Sequence, residues 1–217
     1  QGTPFIHSGQ EYGRTKQFRD PAYKTPVEEN KVPNKSHLLR DKDGNPFVYP
    51  YFIHDSYDSS DAVNKFDWTK ATDKKAYPEN VKSRDYMKGL IALRQSTDAF
   101  RLKSLQDIKE RVHLITVPGK NGVEKEDVTI GYQITAPNGD VYAVFVNADD
   151  KEREFTLGRD FAHLRKAEVL ADENQAGPVG ITNPKGLEWT EKGLKLNALT
   201  ATVLRISQGG AIVAPAV

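Results

Sequence analysis

The strongest constraint on this chain is a change of pattern near residue 105. Beyond it come eight short alternating or β-branched runs, at residues 112–117, 128–135, 141–147, 154–157, 167–170, 186–190, 194–196 and 201–206. Alternation with a period of two marks strands that bury one face. Turn signals separate the runs, among them Gly119 to Gly122, Pro137-Asn138-Gly139 and Asn183-Pro184. An Asn-Gly pair between two alternating runs specifies a tight antiparallel hairpin. Strands this short, with turns this regular, pack as an antiparallel sandwich or barrel of about 100 residues. Residues 103–207 therefore read as an all-β antiparallel sandwich domain, and residues 208–217, small and apolar, as a tail.

The first half is different. Phe5 and Ile6 form the centre of a short apolar run that ends at Ser8-Gly9, and residues 1–9 read as a short buried strand. Such a strand belongs between parallel neighbours. Residues 10–80 have almost no periodicity, with prolines at 21, 26, 33, 46, 50 and 78. Connections longer than about 12–15 residues are functional or disordered. The seven aromatics Phe47, Tyr49, Tyr51, Phe52, Tyr57, Phe66 and Trp68 argue for order, because disordered segments are poor in aromatics. Met87, Leu90, Ile91 and Leu93 then follow helical spacing over residues 80–99, with Asn80 in position to cap the start. Strand, long loop and helix make one unit of a βα-repeat protein, in which working residues sit on the loop after the strand. Residues 1–102 are assigned to that unit.

Composition removes whole classes of function. The 217 residues carry 31 basic and 30 acidic side chains, a net charge of +1, which gives no electrostatic case for nucleic acid or an anionic membrane. No run of about 18 apolar residues is available to span a bilayer. The absence of cysteine excludes disulfides, thiolate zinc sites and a Cys nucleophile. There is no GxGxxG, P-loop or HExxH motif. The histidines His7, His37, His54, His113 and His163 have no metal-ligand spacing. His113 reads as structural, whereas His7, at the end of the first run, reads as either a ligand contact or a satisfied core residue. The chain begins Gln1-Gly2-Thr3-Pro4 and has its single Met at position 87, so it is expected to be a piece of a longer protein.

The densest candidate site is residues 55–68, with Asp55, Asp58, Asp61, Asp67, Asn64, Lys65, Tyr57, Phe66 and Trp68. Sugars are recognised by this mixture: ring faces stack on aromatics, and hydroxyls bond to carboxylates, amides and ammonium groups. In a helical turn, Asp61 and Lys65 at i, i+4 would point the same way and could grip one sugar together. The plain alternative is a solvated loop with a surface ion pair. Calcium is a further alternative, since Asp55, Asp58 and Asp61 recur at three-residue spacing, although not in an EF-hand pattern.

Three segments carry a family resemblance: GTPFIHSGQEYGRTK at 2–16, DSYDSSDAVNKFDW at 55–68, and IALRQSTDAFR at 91–101. In order and over nearly the whole chain, they resemble the end of type I pullulanases of glycoside hydrolase family 13, the α-amylase superfamily. The resemblance implies a fragment of a (β/α)8 TIM barrel (strand 8, long loop, helix 8) followed by the C-terminal β-sandwich. It implies hydrolysis of α-1,6-glucosidic branches of pullulan, glycogen or starch with retention, with an α-glucan and the missing N-terminal part of the same enzyme as partners. It also implies that Asp61 and Lys65 hold the sugar on the non-reducing side of the cleavage point, with Tyr57 and Asn64 near the same pocket. Gln10, Glu11 and Arg14 match a motif that supports the barrel mouth. Members of the family are often exported or surface-anchored, so an extracellular or cell-surface location is expected.

Two departures matter. Many relatives carry Arg where this chain has Lys65, and Lys lacks the fixed planar fork. The family's nucleophile Asp, acid/base Glu and third carboxylate belong to strands four, five and seven, whose motifs are absent here. Retention needs two carboxyls about 5–5.5 Å apart, so no residue is assigned a catalytic role and the isolated chain is expected to be inactive. Two other readings compete. One is another α-amylase superfamily activity. The other is a non-catalytic carbohydrate-binding or adhesion module built on the sandwich, which would need a row of exposed aromatics. Tyr132, Tyr142, Phe145, Phe155, Phe161 and Trp189 instead sit mostly at alternating positions that suit a core.

Overall fold

The computed structural model describes residues 1–33, 35–116 and 128–209. The expected turn at Gly119–Gly122 and most of the 208–217 tail lie outside these residues. The chain divides into two compact units, one of Phe5–Arg84 and one of Gln1–Pro4 with Asp85–Val217. β-Sheets dominate and helices are few. Among the described residues, no helix is long and apolar enough to cross a membrane.

The larger unit is a β-sandwich. Strands β3 (Val112–Thr116), β4 (Thr129–Thr135), β5 (Val141–Asn147), β6 (Arg153–Thr156), β7 (Glu168–Ala171), β8 (Leu187–Trp189), β9 (Gly193–Leu196) and β10 (Thr200–Ile206) fall on the eight predicted runs. (β1 and β2 belong to the other unit.) They form a five-stranded sheet in the order β3-β4-β5-β10-β7 and a three-stranded sheet in the order β6-β9-β8, every pairing antiparallel. The Asn138-Gly139 turn joins β4 to β5, and Gly139 takes φ +91°, a conformation that favours glycine.

The five-stranded sheet is covered on both faces. Ala143, Phe145, Val169 and Leu204 pack against Phe155, Leu194 and Leu196 of the smaller sheet, and Leu164 joins them. On the opposite face, Ile134, Tyr142, Val144 and Val203 pack against Leu93 and Ala99, with Leu90, Phe100 and Leu102 around them. This explains why β5 reads VYAVFVN with little alternation: both sets of side chains are buried. Tyr142, Phe145 and Phe155 are fully buried, and Tyr132, Phe161 and Trp189 are half-buried against the two cores. The exposed aromatic row that a surface binding module requires is therefore not formed by these residues.

Leu90 and Leu93 come from helix α3 (Pro78–Gln95). Its start differs from expectation. Pro78 is the first helical residue and Val81 N–H donates to Tyr77 O, so Asn80 lies inside the first turn. Pro is favoured at that first position because it has no N–H to leave unpaired. Ile91, expected on the apolar face, is 46% exposed. Gly89 has a packing reason: a Cβ there would lie 1.9 Å from the Ala176 carbonyl oxygen. A seven-residue helix, α4 (Leu105–Arg111), leads into β3 and is capped by Ser104, whose side chain accepts from Asp107 N–H. Gln1 is tied to this unit, donating to Ala99 O at 2.7 Å and accepting from Leu102 N–H at 2.8 Å.

Residues 1–9 form no strand, contrary to the sequence expectation. Phe5 is 97% and Ile6 41% exposed. A buried parallel strand needs partners on both edges, and no described strand pairs with this segment. The order expected in the long 10–80 stretch is present, and part of it is a hairpin that sequence reading missed. Strand β1 (Ser36–Arg40) pairs with β2 (Pro46–Ile53) around Gly44. Tyr51 is buried beneath it, edge-on to Tyr23, and its hydroxyl accepts from Val27 N–H at 2.9 Å. Residues 16–18 run against β2 through Ile53 N–H to Lys16 O and Phe18 N–H to Tyr51 O, both 2.9 Å. Two short helices follow, α1 (Asp61–Asn64) and α2 (Trp68–Thr72).

Candidate functional site

The site is built on a tight turn at residues 9–14. Gly9 sits at φ +92°, and a Cβ there would press on the Arg14 side chain at 2.8 Å. That space lets Arg14 fold back. Its Nη1 donates to Asn64 O at 2.8 Å, and its Nη2 donates to the ring of exposed His7, 3.0 Å from Nδ1. Glu11 accepts from Gly9 N–H at 2.9 Å, and the Gln10 side chain accepts from His7 N–H at 3.3 Å. Tyr12 is buried in the middle. Its hydroxyl accepts from Asp67 N–H at 3.0 Å, and its carbonyl accepts from the Asn80 side chain at 2.8 Å. Its ring meets Phe66 edge-on, and Phe66 in turn supports Trp68, which is 71% exposed. The Gly9–Arg14 turn therefore holds the 61–72 segment from beneath.

The helical turn that the Asp61/Lys65 spacing requires is present. Lys65 N–H donates to Asp61 O at 3.1 Å, closing α1, and both side chains are exposed. Neither makes an ion pair or side-chain hydrogen bond among the described residues. Tyr57 stands on the preceding loop, 95% exposed. Asn64 is different. Its amide donates to Ser56 O at 2.7 Å and to Ser59 O at 2.9 Å, so its donors brace the loop that carries Tyr57.

Beside α1 lies a cleft of about 350 Å³ whose walls include Tyr12, Arg14, Val63, Lys65, Asp67 and Lys70. Of the four predicted site residues only Lys65 lines it. Asp61, Tyr57 and Asn64 do not. Sequence reading missed Lys70 and did not place Arg14 in a cleft. The one available signal was Asp67, which caps α2 by accepting from Lys70 N–H at 3.0 Å and so fixes where that turn begins.

The carboxylates at 55 and 58 face a cation of the protein's own. Lys35 Nζ lies 2.9 Å from Asp58 Oδ1 and 3.6 Å from Asp55 Oδ2. Its hydrogen bond and charge hold the Asp58 carboxyl below the ordinary carboxylate range, and Asp58 in turn raises the Lys35 ammonium. Among the described residues, no three His, Cys, Asp or Glu side chains converge as metal ligands. The Asp55, Asp58, Asp61 spacing that suggested calcium thus places two of its members on an ammonium group.

Residues 111–207 match the family described as SpuA C-terminal. Over 210 residues, 97% of this chain, the sequence is 92% identical to Pullulanase A of Streptococcus pneumoniae serotype 4. The chain is closely similar to one segment of a pullulanase. Its structure overlays, at TM-score 0.90 and 91% identity over 96% of its length, on the catalytic module of the multi-modular glycogen-degrading pneumococcal virulence factor SpuA in complex with an inhibitor. It matches the Group B Streptococcus pullulanase SAP in complex with maltotetraose at TM-score 0.85 and 48% identity over 94% of its length. The chain spans only 16% of the length of the pneumococcal pullulanase, 29% of the SpuA module and 26% of SAP.

Proposed function

We propose that this chain is the C-terminal portion of a retaining glycoside hydrolase that cleaves α-1,6-glucosidic branches of pullulan, glycogen or starch. The observation that carries this reading is the 92% identity with a pullulanase over 97% of the chain. In this reading, residues 1–102 complete a (β/α)8 barrel whose other strands lie elsewhere in the enzyme. The exposure of Phe5 at 97% supports that assignment, since an apolar segment without partners is what a barrel strand becomes when its neighbours are missing. The sandwich, residues 103–207, closes the catalytic module. Asp61 and Lys65 on their helical turn grip a glucose unit of the α-glucan, and Tyr57 offers a ring face beside them. The chain brings no pair of catalytic carboxylates of its own. The reading includes an extracellular or cell-surface location, as is common in the family it resembles.

Complementation tests this. The chain alone should release no reducing sugar from pullulan. Mixed or co-expressed with the N-terminal remainder of the enzyme, it should restore hydrolysis. Association with no activity, or no association, would overturn the reading.

A further inference from the structure

We propose that Lys35 is a positioning residue that holds Tyr57 in its outward pose for glucan stacking, an inference that rests on the sugar-binding reading above. The Lys35 ammonium bridges Asp58, next to Tyr57, at 2.9 Å and Asp55, two residues before it, at 3.6 Å. The link to Tyr57 itself is direct: Asp55 Oδ1 accepts from Tyr57 N–H at 3.2 Å while its other oxygen faces Lys35. From the inner side, Asn64 holds the same loop through the Ser56 and Ser59 carbonyls. The loop is thus gripped from two sides, and the residue left protruding is an aromatic that is 95% exposed.

Lys35 is itself fixed. Its backbone takes φ +54°, uncommon for a residue with a Cβ, and its carbonyl accepts from His54 N–H at 2.9 Å, just before the loop begins. A β-hairpin therefore supplies a cation at a set height beneath the loop. Exposed ion pairs add little to stability, so the geometry points to orientation. A ring that must stack on a sugar binds better when the backbone that carries it is already set, because less loop freedom is lost on binding.

The test uses the intact enzyme that contains this segment and reads kcat and KM for pullulan. Lys35→Met should raise KM about two- to fivefold, the scale of an exposed pair, with kcat within twofold and the melting temperature unchanged. Lys35→Arg should restore KM. Tyr57→Ala should raise KM, and Lys35→Met added to Tyr57→Ala should raise it no further. An unchanged KM in Lys35→Met or Tyr57→Ala, additive effects in the double variant, or failure of Arg to rescue would overturn the inference. Asp61→Ala run in parallel separates the two levels. If it raises KM while Lys35→Met does not, the role of Lys35 alone falls. If Asp61→Ala leaves KM unchanged as well, the sugar-binding reading falls with it.

Discussion

Phe145 and Phe155 meet edge to face between the two sheets, with ring centroids 5.2 Å apart. Both are 0% exposed, one on β5 of the larger sheet and one on β6 of the smaller. This pair joins the two layers of the sandwich. Phe155→Ala should cost about 3–5 kcal/mol, the range for emptying a buried Phe site. Urea unfolding followed by circular dichroism measures it, and a loss below about 1 kcal/mol would show that the layers do not depend on this contact.

Gly89→Ala sets two effects in opposition. Ala is the better helix former by about 1 kcal/mol. The added Cβ, however, would fall 1.9 Å from the Ala176 carbonyl oxygen, which is backbone and cannot rotate away. Overpacking of this kind costs about 1–3 kcal/mol, so the substitution should destabilise on balance. A rise in melting temperature would mean that α3 and the 176 segment do not approach as described.

Asn64→Asp probes the loop below Tyr57. The change keeps the shape of the side chain but removes both donors, leaving the carbonyls of Ser56 and Ser59 facing a carboxylate instead of an amide. Losing partly buried hydrogen bonds costs about 1–3 kcal/mol. The expected result is faster proteolytic nicking within residues 55–60 and a higher KM for pullulan in the intact enzyme. Unchanged nicking would show that Asn64 does not brace the loop.

What sequence revealed and what it hid divide along burial. Most of the sandwich strands were legible because burying one face writes a period of two into the chain, while β5, buried on both faces, was legible as a near-continuous apolar run. The β1–β2 hairpin was not, because its outer half is exposed: Leu38 is 39%, Leu39 46% and Val48 73% open. Prolines at 46 and 50 further obscured β2, because Pro is depleted from strand interiors. The Asp43-Gly44 pair was the available signal. The i, i+4 spacing of Asp61 and Lys65 raised a helical turn only as a condition, and the structure supplies that turn. Lys35 was not, since its relation to Asp55 and Asp58 depends on the hairpin. The Phe5-Ile6 run was read as a buried strand because apolar sequence reports the surroundings it needs, whether or not the same chain provides them.

The Lys35–Asp58 pair also fixes a pH window. Asp58 is depressed below the ordinary carboxylate value, so its contribution is complete above about pH 4 and is lost as pH falls through its lower native value. Lys35 is raised, so its contribution is complete below about pH 10 and is lost as pH rises through its higher native value. The pair should therefore persist unchanged between about pH 4 and pH 10, and activity changes inside that window must come from other groups. A carbon-13 carboxyl titration of the chain should place the Asp58 midpoint below the free-peptide value of about 3.9. The same titration of Lys35→Met should move it up towards that value, because the ammonium that is the main cause of the shift is gone. A parent midpoint already at the free-peptide value, or one that Lys35→Met does not move, would show that the two side chains are not paired in solution.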